Sequence, residues 1–152
     1  MDGRHKASHD DRSNGPRPLD PYLLGVLIGD GGFRGPGIRL TTGDPDEQLP
    51  LLDPLLPHGI TLRPVTGARH DWTLTAGFGA RANRVIDGLR SLGLWGHTSL
   101  TKFIPESYLY AGVEQRWALL QGLMDTDGSV SERGGLEFCT SSPQLSEDVR
   151  FL

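Results

Sequence analysis

Leu119-Leu120-Gln121-Gly122-Leu123-Met124-Asp125-Thr126-Asp127-Gly128 repeats the pattern of an earlier stretch, Leu23-Leu24-Gly25-Val26-Leu27-Ile28-Gly29-Asp30-Gly31. With Gly25 laid over Gly122, Gly29 falls on Thr126 and Asp30 on Asp127. Both copies place small residues four apart, Gly25 with Gly29 and Gly122 with Thr126, and residues four apart share one face of a helix. Glycine inside a helix costs about 1 kcal/mol against alanine. A repeated small face therefore needs a reason, and close approach of another backbone supplies one. If the two helices pack through that face, Asp30 and Asp127 arrive together at one end. Paired carboxylates repel unless a cation lies between them, and a site of hard oxygen ligands suits Mg²⁺.

Working outward, Asp20-Pro21 reads as the N-cap and first residue of the earlier helix. Its run Tyr22 to Ile28 is apolar on nearly every face, as in a helix buried between two layers, and Gly31-Gly32 is the expected stop. Phe33 to Thr42 reads as a hairpin. Asp44-Pro45 opens a second helix toward Leu56, with Pro50 and Pro54 expected to break it. Gly59 to Val65 and His70 to Ala76 alternate around a Gly67 turn. Ala80 to Leu92 has helical period and Gly93 ends it. The pattern restarts with a helix over Val113 to Met124, strand signals at Ser129-Val130 and Leu136 to Thr140, and a helix opened by Ser142-Pro143. The order is α-ββ-α-ββ-α, a linker, then α-ββ-α: an α+β chain with an internal duplication whose second copy is about half length. Residues 1–19 read as a disordered leader, 20–96 as the first unit, 97–112 as a linking block and 113–152 as a partial second unit.

The paired segments resemble the two motifs of the LAGLIDADG, or dodecapeptide, homing endonucleases, most closely the version found within inteins. Lys102-Phe103-Ile104-Pro105-Glu106-Ser107-Tyr108-Leu109 is similar to the block preceding the second motif in that family. The resemblance runs from about Pro21 to Leu152. It implies two αββαββα units joined by their motif helices about a pseudo-twofold axis. Each unit would lay a saddle of antiparallel strands in the major groove of double-stranded DNA. It implies that the last acidic residue of each motif, Asp30 and Asp127, binds divalent metal and cleaves one strand each. The family lysine maps onto Lys102, proposed to polarise water or steady the charge developing on phosphate. Asp125 aligns with Ile28, and neither is given a catalytic role. Arg39, Arg63, Arg69 and Thr75, on expected strands, are the candidates for DNA contact.

The remaining composition sets limits. The chain has 152 residues, a net charge of -4, 21 glycines and 11 prolines, which excludes a coiled coil. No apolar run approaches the roughly 20 residues that span a bilayer. The polar opening lacks a signal-peptide core, and a single cysteine, Cys139, excludes a disulfide framework and points to a reducing cytoplasm. Acidity alone argues against a phosphate backbone as partner. The charge is segregated, however: residues 60–105 carry six basic and two acidic side chains, and residues 106–152 three basic and eight acidic. The Asp125–Ser129 run is not an EF-hand loop, since its glycine comes two positions early and no twelfth-position Glu follows. The five histidines lack ligand spacing, and Trp72, Trp95 and Trp117 are expected in the core.

The half-length second copy is expected to leave apolar surface open, to be completed by a second chain or by a homodimer. Splicing blocks are not found, so no splicing is expected. Two function classes stand at this point. One is a site-specific, Mg²⁺-dependent DNA endonuclease, reduced or silenced by truncation. The other is a non-catalytic DNA- or RNA-binding module of the same fold, or an inert intein relic. Retention of Asp30, Asp127 and Lys102 favours the enzyme.

Overall fold

The computed structural model describes residues 17–152. The leader expected over residues 1–19 therefore lies outside the described residues except at its end, where Leu19 is a correction: it is a core side chain, 2% exposed. Tyr108 holds it there. The Tyr108 hydroxyl accepts from Leu19 N (3.0 Å) and donates to Leu19 O (2.6 Å). Both main-chain groups of Leu19 are thus satisfied away from water, so the segment is folded against the linking block.

Helix α1 spans Pro21–Asp30. Asp20 caps it by accepting from Leu23 N at 3.1 Å, and Pro21 supplies a preset first residue. Leu23, Leu24, Val26, Leu27 and Ile28 are all at most 1% exposed, because a sheet covers one side of the helix and a second helix the other. Gly31 is not a left-handed cap: at φ -83° it runs straight into strand β1 (Gly31–Gly32). Its lack of a side chain is still needed, since a Cβ there would press on the Leu27 carbonyl and stand 3.0 Å from the Phe33 ring.

Strand β1 pairs with β2 (Ile38–Thr41). Helix α2 (Pro45–Leu52), capped by Asp44, continues through Pro50, and only at Asp53–Leu55 does it tighten into a 3₁₀ turn. Pro50 was expected to break the helix. It lies exposed and removes one ladder bond without obstructing any packed face, so the break falls at Pro54 instead. Strands β3 (Thr61–Pro64) and β4 (Asp71–Thr75) complete an antiparallel sheet in the order β1-β2-β4-β3. Ile38 pairs with Leu74 and Leu74 with Leu62, forming the inward row; Arg39 pairs with Thr73 and Thr73 with Arg63, forming the outward row. Period-two alternation therefore gives an apolar face on α1 and a polar face in solvent. Helix α3 (Arg84–Ser91) starts later than Ala80, because Asn83 is the capping side chain, accepting from Val85 N and Ile86 N. Gly93, at φ +76°, ends that helical segment.

Short helix α4 (Glu106–Leu109) lies in the linking block, and α5 (Val113–Asp127) follows. A two-stranded sheet, β5 (Gly128–Val130) with β6 (Leu136–Phe138), and helix α6 (Pro143–Phe151) complete the described residues. One apolar core runs through both copies, from Leu19 to Leu145. The second copy is more thinly covered: Val130 and Leu136 are 69% and 75% exposed. Trp117, expected in the core, is 70% exposed, because no described element packs on that side of α5. Trp72 and Trp95 are part-buried.

Candidate active site

Helices α1 and α5 meet through their small residues. A Cβ added to Gly25 would stand 3.1 Å from Gly122 Cα and would collide with the Leu119 carbonyl. A Cβ on Gly122 would stand 3.1 Å from Gly25 Cα and collide with the Tyr22 carbonyl. Tyr22 and Leu119 occupy equivalent positions in the two copies, so the contact is twofold in character. Gly29 leaves the space that the Thr126 side chain fills, and Thr126 Oγ1 turns back to donate to Leu123 O at 2.8 Å. The seam is therefore backbone against backbone at Gly25 and Gly122, and backbone against the Thr126 side chain at Gly29.

Both helices end on an aspartate at this seam. Asp30 is part-buried, and its carboxyl is pushed up to about 6, first by burial and then by the charge of Asp127, with Lys102 opposing. Asp127 is raised as well, by burial, again with Lys102 opposing. Neither carboxylate accepts a hydrogen bond from the described residues. Their oxygens are therefore open to an external partner of positive charge.

Lys102 is 5% exposed. Its ammonium donates to Ile28 O (2.8 Å), to Gly31 O (2.5 Å) and, longer, to Leu27 O (3.4 Å), and it lies 4.6 Å from the centre of the Phe33 ring. A cation at the C-terminal carbonyls of α1 is where the helix dipole favours one. Burial lowers its affinity for the proton to about 8, while Asp127 and Asp30 pull the other way. The second copy clamps the chain around it: Ser142 Oγ donates to Lys102 O (2.6 Å), and Asp148 Oδ2 accepts from Ile104 N (2.9 Å). Two clefts open beside this lysine. One is lined by Asp30, the other by Asp127, and Ser99 and Lys102 line both.

The arrangement suits a hard divalent cation. Among the described residues no group of three or more His, Cys, Asp or Glu side chains gathers as a metal cage. Mg²⁺ does not need one, since it is usually held by one or two carboxylates together with waters and substrate phosphates. Asp30 and Asp127 are the residues that would hold it.

Of the strand residues singled out, Arg39, Arg63 and Thr75 lie on β2, β3 and β4. Arg39 also lines the Asp30 cleft. Arg69 is a correction: it lies in the turn between β3 and β4, not on a strand. The ladder closes at Val65 N to Asp71 O (2.9 Å), and Gly67 bends the chain at φ +78°. Sequence reasoning missed His97 and Thr98, which line the Asp30 cleft, and Tyr22, whose hydroxyl donates to Asp125 Oδ2 at 2.7 Å. No spacing signal marks them, because His97 and Thr98 reach the cleft only when the linking block folds back, and Tyr22 meets Asp125 only when α1 packs on α5.

Residues 114–152 match the family model described as LAGLIDADG-like domain. The chain is similar to the replicative DNA helicase DnaB of Mycobacterium intracellulare, 30% identical over 131 residues, which cover 86% of this chain and 18% of that protein. The chain thus spans less than a fifth of the relative it matches.

Proposed function

We propose that the chain, whose residues 114–152 match the LAGLIDADG-like domain, is a member of the LAGLIDADG homing-endonuclease family and a site-specific, divalent-metal-dependent double-stranded DNA endonuclease unit. The observation that carries this reading is a pair of carboxylates, Asp30 and Asp127, that accept no hydrogen bond from the described residues and stand at one end of a close helix seam beside a buried ammonium. Asp30 and Asp127 would each serve one DNA strand and share the hold on Mg²⁺. When bound, the metal supplies charge neutralisation at the phosphate and acidity to its water. Lys102 holds positive charge within electrostatic reach of both carboxylates, where negative charge would grow as phosphorus becomes five-coordinate. With a proton affinity brought down to about 8, it can also release and regain a proton near neutral pH. The outward face of the β1-β2-β4-β3 sheet is the surface offered to the duplex. Similarity to a limited stretch of a replicative helicase supports a unit carried within a host protein as an intein.

The test is nicking and linearisation of supercoiled plasmid DNA bearing candidate sites, with Mg²⁺ and with EDTA. Wild type should cleave only with metal, and Asp30→Asn and Asp127→Asn should each lower the rate by at least a hundredfold. Duplex binding without cleavage, indifferent to both substitutions, would establish the non-catalytic module instead.

A further inference from the structure

Arg39 stands in the middle of β2 on the outward face, and it is not free to sweep. Its Nη2 lies 2.7 Å from Asp71 Oδ2, and Thr41 Oγ1 donates to the other Asp71 oxygen, Oδ1, at 2.7 Å. Thr41 and Asp71 are directly paired across β2 and β4, and Arg39 reaches Asp71 diagonally from its own partner, Thr73. Both oxygens of the carboxylate are thereby committed. The arginine side chain is still 54% exposed. On its other flank Gly32 of β1 presents no side chain. Arg39 and Thr41 line the same cleft as Asp30 and Lys102, so this chain of three residues sits beside the carboxylate proposed to cut.

An exposed ion pair contributes little to stability, so stability does not account for the arrangement. Its charge balance decides what it can recognise. A phosphate contact wants an unopposed cation, and Asp71 would repel the phosphate. The edge of a guanine is different: O6 and N7 are neutral acceptors that take two parallel N–H groups from one guanidinium. Arg39 has five N–H donors and spends one direction on Asp71, leaving a face of the fork to solvent. Holding the fork in place removes rotamer freedom before the base arrives, which sharpens discrimination. We propose that Arg39 reads a guanine in the major groove next to the cleavage position, and that Asp71 and Thr41 are positioning residues that aim it. This rests on the DNA-endonuclease reading.

The experiment is selection from a randomised duplex pool, with EDTA present so that binding is read without cleavage. Wild type, Arg39→Ala, Arg39→Lys and Asp71→Asn are compared, each checked for an unaltered thermal transition. Wild type should enrich a motif holding one guanine whose replacement weakens binding by roughly tenfold or more. Arg39→Ala and Arg39→Lys should flatten that position and leave the rest of the motif standing. Asp71→Asn should bind unselected duplex more tightly, having lost a negative charge, while its preference for that guanine falls. A motif unaffected by Arg39→Ala would overturn the proposal, as would tighter binding in Asp71→Asn with guanine preference intact. If wild type enriches no motif, the DNA reading itself fails and this proposal fails with it.

Discussion

At the residue scale, the notable pairing is that of ordinary side chains with unusual depth. Two aspartates at matching positions are plain in the sequence; a lysine at 5% exposure is not, since lysine is almost never fully buried. What permits it is three main-chain carbonyls converging at the end of α1, which the lysine reaches only once the linking block has folded back. The raised carboxyl of Asp30 has a consequence for stability. Its proton affinity in the fold, about 6, exceeds the ordinary value of 3.8, so the folded state holds the proton more tightly than the unfolded state. That advantage is complete below pH 3.8 and is lost as pH rises through about 6. Asp30→Asn removes the titration. The variant should therefore gain on wild type as pH rises through this window, on the order of 1 kcal/mol once solvent screening is allowed for. Added Mg²⁺ should close the gap above pH 6 and have little effect below it. Thermal melts across pH, with and without Mg²⁺, measure both.

At the scale of elements, α1 and α5 reverse the usual sign of a glycine substitution. In an isolated helix Gly25→Ala would be favourable by about 1 kcal/mol. Here the added methyl has nowhere to go, because the Leu119 carbonyl and the Gly122 main chain already occupy the space. Gly25→Ala and Gly122→Ala should each destabilise by about 3 kcal/mol or more, as overpacking against unyielding backbone does. Urea denaturation of each variant gives the value, and a stabilised variant would show that the helices do not touch. The starts of three of the six described α-helices were legible because Asp20, Asp44 and Ser142 are capping residues placed before proline. The start of α3 was not, because helical period extends back to Ala80 while the cap that stops it is Asn83. The burial of Trp117 was misjudged for a related reason. Periodicity marks an apolar face, and only tertiary structure tells whether anything lies on it.

At the scale of the whole molecule, the two copies are unequal in cover. Strands β2 and β4 lie inside a four-stranded sheet with Ile38, Leu40 and Leu74 buried beneath them; β5 and β6 form a bare hairpin. A two-stranded ribbon is marginal on its own. Amide hydrogen exchange should therefore be at least tenfold faster in β5 and β6 than in β2 and β4, read by mass spectrometry of the intact chain. The duplication, and with it the pairing of β3 with β4, could be read from the sequence, but the pairing of β2 with β4 and the linking block's role as the wall of both clefts could not. The helix seam has one more effect. Where Gly25 and Gly122 bring two main chains into contact, the gap between Asp30 and Asp127 is set by peptide units and by the one Thr126 side chain seated against Gly29. If the sheets meet DNA and the two aspartates cut it, as proposed, the sheets can diverge in sequence, and so in the DNA letters they meet, while the spacing of the two cuts is kept.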